Sequence, residues 1–391
     1  MMRKQIKQFF EADSASGVTL LVFLVISLII ANSPWGPGFE SLLAQQIGMD
    51  TAQVHLNYSV LSWINDGLMA LFFLMVGIEI KQELAHGQLS SAKKASLPIF
   101  AALGGMLVPA GIYALFNAGT ETSHGWGIPM ATDIAFAIGV LSILGKRVPI
   151  ALKVFLTALA IVDDLGAILV IAIFYTTELH ATYLLYALGI FTVMTFMNRI
   201  GIKSVWVYLI PGLFIWYFIH HSGIHATIAG VLTAMTIPIK GRKPGHSPIQ
   251  SVEHAISTPV NFIIMPLFAL ANTNIRFESG MIDGLASPLG MGIIAGLFIG
   301  KPVGITLLSW ISVKLGLSEL PKGTKWLQIL ALGLMGGIGF TMSVFIALLS
   351  FDDLYHQTEA KFAILVASAL SGVIGYIILK NMGRRYLTKT K

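Results

Sequence analysis

The chain has 391 residues, of which 55% are hydrophobic and only 11% charged, with a mean hydropathy of +0.79 and a formal net charge of +6. A typical soluble domain carries about 25% charged residues, so a water-soluble fold, which could not cover this much apolar surface, is excluded. Cysteine is absent, which also excludes disulfides, thiolate metal sites and a cysteine nucleophile.

A helical membrane span needs about 20 mainly apolar residues. Taken in chain order, such windows centre near residues 24, 72, 106, 135, 163, 191, 212, 230, 261, 301, 338 and 370, which predicts an all-α polytopic membrane protein of about twelve spans. The first starts only after Arg3, Lys4, Lys7, Glu11 and Asp13 and lacks a clear small-residue cleavage site, so it reads as a retained span. The connection from Asn32 to Asn57 is longer than the rest, and Gln46 to Leu56 alternates loosely around Gly48 and Asp50, as a small hairpin does. The seventh and eighth spans crowd together around His220 to Gly223.

Lysine and arginine collect on the cytoplasmic side of membrane proteins, so their placement tests the count. With the N-terminus inside, twenty-two of the 25 fall on inner segments, among them Lys81, Lys93 and Lys94, then Lys240, Arg242 and Lys243, then Lys314, Lys322 and Lys325, and finally Lys380, Arg384, Arg385, Lys389 and Lys391. Arg276 and Lys361 fall outside, and Lys301 lies within the tenth span. Topology and anionic lipid therefore account for the basic balance without nucleic acid, and both termini are expected in the cytoplasm.

An ionisable group at membrane depth costs at least ~2.5 kcal/mol and marks a functional candidate. Few qualify: Asp133 in the fourth span, Asp163 and Asp164 in the fifth, and Lys301 in the tenth. Asp163 lies about 20 Å along a helix entering near Ile150, and Lys301 about 16 Å from the opposite surface, so all fit the middle third. Pro129 interrupts the fourth span near Asp133, and Gly336-Gly337-Ile338-Gly339 interrupts the eleventh. Spans three to five and ten to twelve enter from opposite sides, as two inverted three-helix repeats with a discontinuous middle helix in each would, and paired interruptions point to a transporter's ion site. Where such half-helices cross, like dipole ends face one another and need compensation: Asp133 suits facing N-termini, and Lys301 facing C-termini.

Adjacent buried carboxylates repel, and a bound cation relieves that repulsion, so cation and proton compete for the pair. Hard oxygen ligands suit an alkali cation, Na⁺ and by extension Li⁺. Other groups keep two readings. Glu79 and Glu83 are either a solvated helix end or a pH-sensing funnel, as are Glu253 and His254, while His225 is a packing histidine or a proton site. Asp66 is a cap or an entrance charge, Lys301 a proton carrier or a structural partner, and Gly292 and Gly296 a close helix contact. Among rival classes, a two-aspartate protease pairing Asp133 with the aspartate pair keeps its carboxylates on separate facing helices, and His221 to His225 has a zinc-protease interval but no glutamate beside the first histidine. A sodium-coupled symporter would need a larger polar cavity, and a channel weaker binding.

The segments Trp63-Ile-Asn-Asp-Gly-Leu-Met-Ala, Val76-Gly-Ile-Glu-Ile-Lys, Pro129-Met-Ala-Thr-Asp-Ile-Ala-Phe, Leu159-Ala-Ile-Val-Asp-Asp-Leu-Gly, Ser222-Gly-Ile-His-Ala-Thr, Pro266-Leu-Phe-Ala, Ile299-Gly-Lys-Pro and Gly336-Gly-Ile-Gly-Phe-Thr-Met-Ser are specific in combination. In them the chain resembles, along essentially its whole length, the bacterial NhaA-type Na⁺/H⁺ antiporter family. Inverted repeats are a known feature of this family. The resemblance implies that Asp163 and Asp164 bind cation or protons alternately, that Thr132 and Asp133 lie at the crossing of broken helices, and that Lys301 balances charge beside them. It also implies a non-enzymatic, electrogenic exchanger without cofactor in the inner membrane, serving pH and sodium homeostasis as a homodimer joined through outer loop 33–58. The division expected is a core bundle of about 95–175 and 290–382 and scaffold helices of about 12–94 and 182–271. One departure stands out: family members carry a basic pair before the Glu-His and a histidine after it, whereas this chain has Gln250, Ser251 and Ser257.

Overall fold

The computed structural model describes residues 13–387 except 52–54, 177–178, 242–246 and 279. Of the basic residues used above, Arg3, Lys4, Lys7, Arg242, Lys243, Lys389 and Lys391 lie outside the described residues.

The N-terminal helix α1 (Asp13–Ala31) is followed at a bend of 109° by α2 (Gly36–Ala44), with Pro37 in the first turn of α2, where its missing N–H costs nothing. The expected hairpin forms from β1 (Gln46–Asp50) and β2 (His55–Ser59), antiparallel, with Gln46 opposite Ser59 and Asp50 opposite His55. It runs three residues beyond Leu56, because Ser59 both ends β2 and caps the next helix by accepting from Ser62 N at 3.0 Å. Gly48 has a φ of +140°, and a Cβ there would stand 1.8 Å from Leu56 O, so only glycine fits. The helix that follows, α3 (Val60–His86), opens with a π-helical turn at Trp63–Leu68, and Trp63 Nε1 donates to Ile47 O at 2.8 Å, tying it to the hairpin. Because Ser59 is the cap and Asp66 lies inside this π turn, the cap reading of Asp66 is corrected.

The chain continues through α4 (Ala92–Asn117), a ten-residue 3₁₀ helix (Glu121–Met130), α5 (Ile134–Leu144), α6 (Ile150–Phe174), α7 (Ala181–Arg199), α8 (Trp206–His221) and α9 (Ile228–Thr236). Then come α10 (Pro248–Asn272), α11 (Pro288–Lys314), α12 (Trp326–Gly336), α13 (Phe340–Ser350) and α14 (Leu354–Leu387). Every expected span centre falls on one of these helices or on the break inside a bent pair. By length and apolarity, 7 helices among the described residues are able to cross a membrane, or up to 10 if each bent pair is one span. The expected seventh and eighth spans, α8 with 16 residues and α9 with 9, reach only about 24 and 14 Å against a hydrocarbon core of about 30 Å. Large apolar side chains face outward, with Leu185 66%, Phe196 62% and Ile173 68% exposed, the pattern of a surface solvated by lipid.

The chain folds into two compact units. Of the described residues, one takes 13–22, His86–Ala167 and 275–387, around a core that includes Leu141, Leu156, Ile305, Leu332 and Ile338. The other takes Phe23–Ala85 and Ile168–Asn274, around Ile78, Met194, Tyr208, Ile215 and Ile249.

Within the first unit, α4 and α11 meet backbone to backbone. A Cβ at Gly104 would lie 2.0 Å from Gly304 O, and one at Gly304 would lie 2.1 Å from Gly104 O. The expected Gly292 and Gly296 contact is the start of a longer stripe: Gly296 faces Pro129, Gly300 faces Pro109 and Gly304 faces Gly104. Gly104→Ala or Gly304→Ala is expected to force the two backbones apart and to cost about 2 kcal/mol or more. Thermal unfolding in detergent measures this, and an unchanged midpoint in both variants would contradict the contact.

Candidate functional site

Two chain breaks come together in the first unit. The break after the 3₁₀ helix leaves residues 131–133 extended before α5, with a 40° bend, and the break at residues 337–339 separates α12 from α13 with a 49° bend. Asp133 N donates to Ile338 O at 2.7 Å, so one break satisfies the other's backbone at a depth where water does not.

At this crossing the N-termini of α5 and α13 meet Asp133. Its Oδ1 accepts from Phe136 N at 3.0 Å, capping α5, and its Oδ2 accepts from Thr341 N at 3.1 Å and Thr341 Oγ1 at 2.5 Å, capping α13. One carboxylate thus complements two positive dipole ends. The opposite ends meet Lys301, whose Nζ donates to Met130 O at 2.5 Å, Thr132 Oγ1 at 2.8 Å and Asp163 Oδ2 at 2.5 Å. Met130 ends the 3₁₀ helix, and Gly336 O, which ends α12, lies 2.9 Å from Thr132 Oγ1. The Thr132 hydroxyl has one proton to share between Gly336 O and Asp163 Oδ2, 2.8 Å away, while it accepts from Lys301. A π-helical turn at Gly296–Gly300 runs directly into Lys301 and sets its direction, a common use of π bulges.

Thr132, Asp133, Asp163, Asp164 and Lys301 are all buried, at 0 to 2% exposure. Asp163 and Lys301 form an ion pair sealed from solvent, and Asp163 Oδ1, which accepts no hydrogen bond among the described residues, points toward Gly105 of α4, where a Cβ would lie 3.7 Å away. Asp163 and Asp164 are successive residues of α6, so they project about 100° apart around it. Among the described residues no group of three or more His, Asp or Glu side chains gathers to hold a metal ion.

The remaining candidates belong to the second unit. Gln82 Nε2 donates to Glu253 Oε2 at 2.6 Å, which ties α10 to the end of α3 that carries Glu79 and Glu83. His254 is exposed. Lys81, between Glu79 and Glu83 in sequence, turns instead to the end of α9, donating to Met235 O at 2.6 Å and Ile237 O at 2.5 Å. His225 Nε2 lies 2.7 Å from Tyr175 O and His221 Nδ1 lies 2.8 Å from Tyr217 O, so each ring spends a nitrogen on a carbonyl. Asp133 and Asp163 are held by different partners, Thr341 and Lys301, which is not the shared pairing a two-aspartate protease uses. Sequence reasoning missed Thr341 and the Lys81 anchor. Thr341 alone left a signal, a hydroxyl at the start of the helix after the Gly336–Gly339 run.

Carboxylates and a lysine buried where two interrupted helices cross give a multi-pass membrane protein the build of a secondary transporter. The chain belongs to the Na⁺/H⁺ antiporter 1 family, which it matches over residues 7–379. It is 57% identical over 377 residues to Na(+)/H(+) antiporter NhaA 2 of Flavobacterium johnsoniae, covering 96% of this chain and 92% of that protein. It is 48% identical to Na(+)/H(+) antiporter NhaA of Flavobacterium psychrophilum, with 98% of each chain covered, and 46% identical to Na(+)/H(+) antiporter NhaA of Aeromonas hydrophila, with 97% of this chain and 96% of the relative covered.

Proposed function

We propose that the protein exchanges cytoplasmic Na⁺, and Li⁺ as well, for external protons, with Asp163 and Asp164 as the shared cation and proton site. The observation that carries this reading is the sealed ion pair between Lys301 Nζ and Asp163 Oδ2 at 2.5 Å, set at the crossing of two broken helices. A cation reaching Asp163 must displace the ammonium, and protonation of Asp163 dissolves the same pair, so cation, proton and Lys301 compete for one carboxylate. In this reading the cycle is electrogenic, moving unequal charge in the two directions. Thr132, Asp133 and Lys301 hold the crossing together and balance its dipole ends.

In this reading the chain has twelve spans in the bacterial inner membrane with both termini cytoplasmic, and the contact of Gly104 with Gly304 supports two inverted repeats, spans three to five and ten to twelve. The core bundle comprises about 95–175 and 290–382, the scaffold about 12–94 and 182–271. Asp66 is the cation entrance, and Glu79, Glu83, His225, Glu253 and His254 are the candidates for a secondary pH response. Two copies join through outer loop 33–58, and the exchange serves pH and sodium homeostasis. Proteoliposomes with an imposed sodium gradient and an internal pH dye test the function. A sodium-driven pH change in otherwise passive vesicles is expected, and its absence from mildly acidic through mildly alkaline pH would overturn the reading.

Activity is expected to rise with alkalinity, because cation binding needs deprotonated aspartates. With Gln250, Ser251 and Ser257 in place of basic groups and Glu253 bonded to the neutral Gln82, the cytoplasmic cluster has fewer cations to respond with. Glu253→Gln, His254→Ala and Glu79→Gln are each expected to move the pH midpoint of exchange by less than about one unit. Larger shifts in all three would show that the cluster governs activation.

A further inference from the structure

A second charged hollow lies in the first unit, away from the ion site. The starts of α4 and α6 and the connection between α11 and α12 enclose about 460 Å³. Leu97, Pro98, Val154 and Phe155 make the inner wall apolar, while Lys93, Lys94, Lys322 and Glu319 stand on the rim. Three lysines against one glutamate leave the rim at +2. Lys93 Nζ lies 3.2 Å from Glu319, but both side chains are largely exposed and such pairs contribute little.

Two helix N-termini open onto the same hollow. The first turn of α4 and that of α6 contain no acidic residue, although each N-terminus carries roughly half a positive charge that Asp or Glu normally complements. In α4 those positions hold Lys93 and Lys94, of the wrong sign. Apart from Glu319, the charges and dipole ends at this rim favour an anion. The inner wall selects which anion. A free phosphate would leave the apolar wall wet, whereas Val154, 39% exposed, and Ile150, 78% exposed, continue that wall onto the exposed apolar side of α6, where an acyl chain can lie.

We propose that this hollow binds an anionic phospholipid, its phosphate among Lys93, Lys94 and Lys322 and the first part of an acyl chain along Val154 and Phe155. The topology proposed above enters only in placing this lipid in the cytoplasmic leaflet. Val154 and Asp163 share α6, about 14 Å apart along its axis, so the bound lipid steadies the helix that carries the aspartate pair.

The test is lipid retention, which does not depend on transport. Full-length protein in mild detergent is equilibrated with phosphatidylglycerol or phosphatidylcholine, stripped, and examined by native mass spectrometry. Wild type is expected to retain phosphatidylglycerol in preference to phosphatidylcholine. Each lysine changed to glutamine lowers that retention by about fivefold, and Lys93→Gln/Lys94→Gln/Lys322→Gln together by on the order of a hundredfold. Glu319→Gln is expected to raise retention, Lys240→Gln in the other unit to leave it unchanged, and excess inorganic phosphate to leave the lipid bound. Equal retention of the two lipids, an unaltered triple variant, an equal loss with Lys240→Gln, or displacement by phosphate alone would each overturn the assignment.

Discussion

Asp163→Asn and Asp164→Asn are each expected to reduce sodium-driven proton movement to the level of protein-free vesicles while the protein remains folded. Both side chains are buried, at 1% and 2% exposure, in an apolar helix, where a charge is costly to the fold and marks a functional group. An asparagine keeps the shape and the hydrogen bonding but neither exchanges a proton nor attracts a cation. Asp163→Asn also breaks the ion pair with Lys301, yet its amide oxygen still accepts and the ammonium keeps Met130 O and Thr132 Oγ1, so its thermal midpoint should fall without loss of the fold. Flux in proteoliposomes and unfolding in detergent check the two halves separately. Transport at the wild-type rate in either variant would remove that aspartate from the mechanism.

Lys301→Met is expected to be the most destabilising single change at the crossing, at about 3–5 kcal/mol, the usual cost of stripping one partner from a buried ion pair. The ammonium satisfies three buried acceptors at once, and without it the Asp163 carboxylate and Met130 O face each other's negative charge. Lys301→Met/Asp163→Asn should recover much of that stability while remaining inactive, because the uncompensated charge is gone along with the site. A double variant as unstable as Lys301→Met alone would show that the carboxylate is not what the lysine neutralises. Lys301→Arg separates counter-charge from proton carriage, since a guanidinium does not deprotonate. Electrogenic exchange in that variant would make Lys301 a counter-charge.

The membrane class, the centres of the expected spans, the two breaks and the four buried charges were legible in the sequence, whereas α2, inside the long Asn32–Asn57 connection, was not. Each is a local matter: an apolar run of span length, a proline or glycine cluster that interrupts it, and the desolvation cost that makes a lone Asp or Lys conspicuous. Even the pairing of Asp133 with N-termini and Lys301 with C-termini follows from dipole signs once a crossing is assumed. Partners distant in the chain were not legible. That Thr341 completes the Asp133 cap, that Gly105 lets Ile305 pack against α4, and that Lys81 turns from Glu79 and Glu83 to the end of α9 depend on which helices touch and at what rotation. Asp66 reads as a cap until Ser59 is seen in that role, because neighbouring polar residues compete for one N-terminus. The adjacency of Asp163 and Asp164 is a property of the sequence, but the choice of Asp163 to face Lys301 belongs to tertiary structure. A helix turns about 100° per residue, and only the packing of α6 against the crossing decides which of two successive side chains points into it.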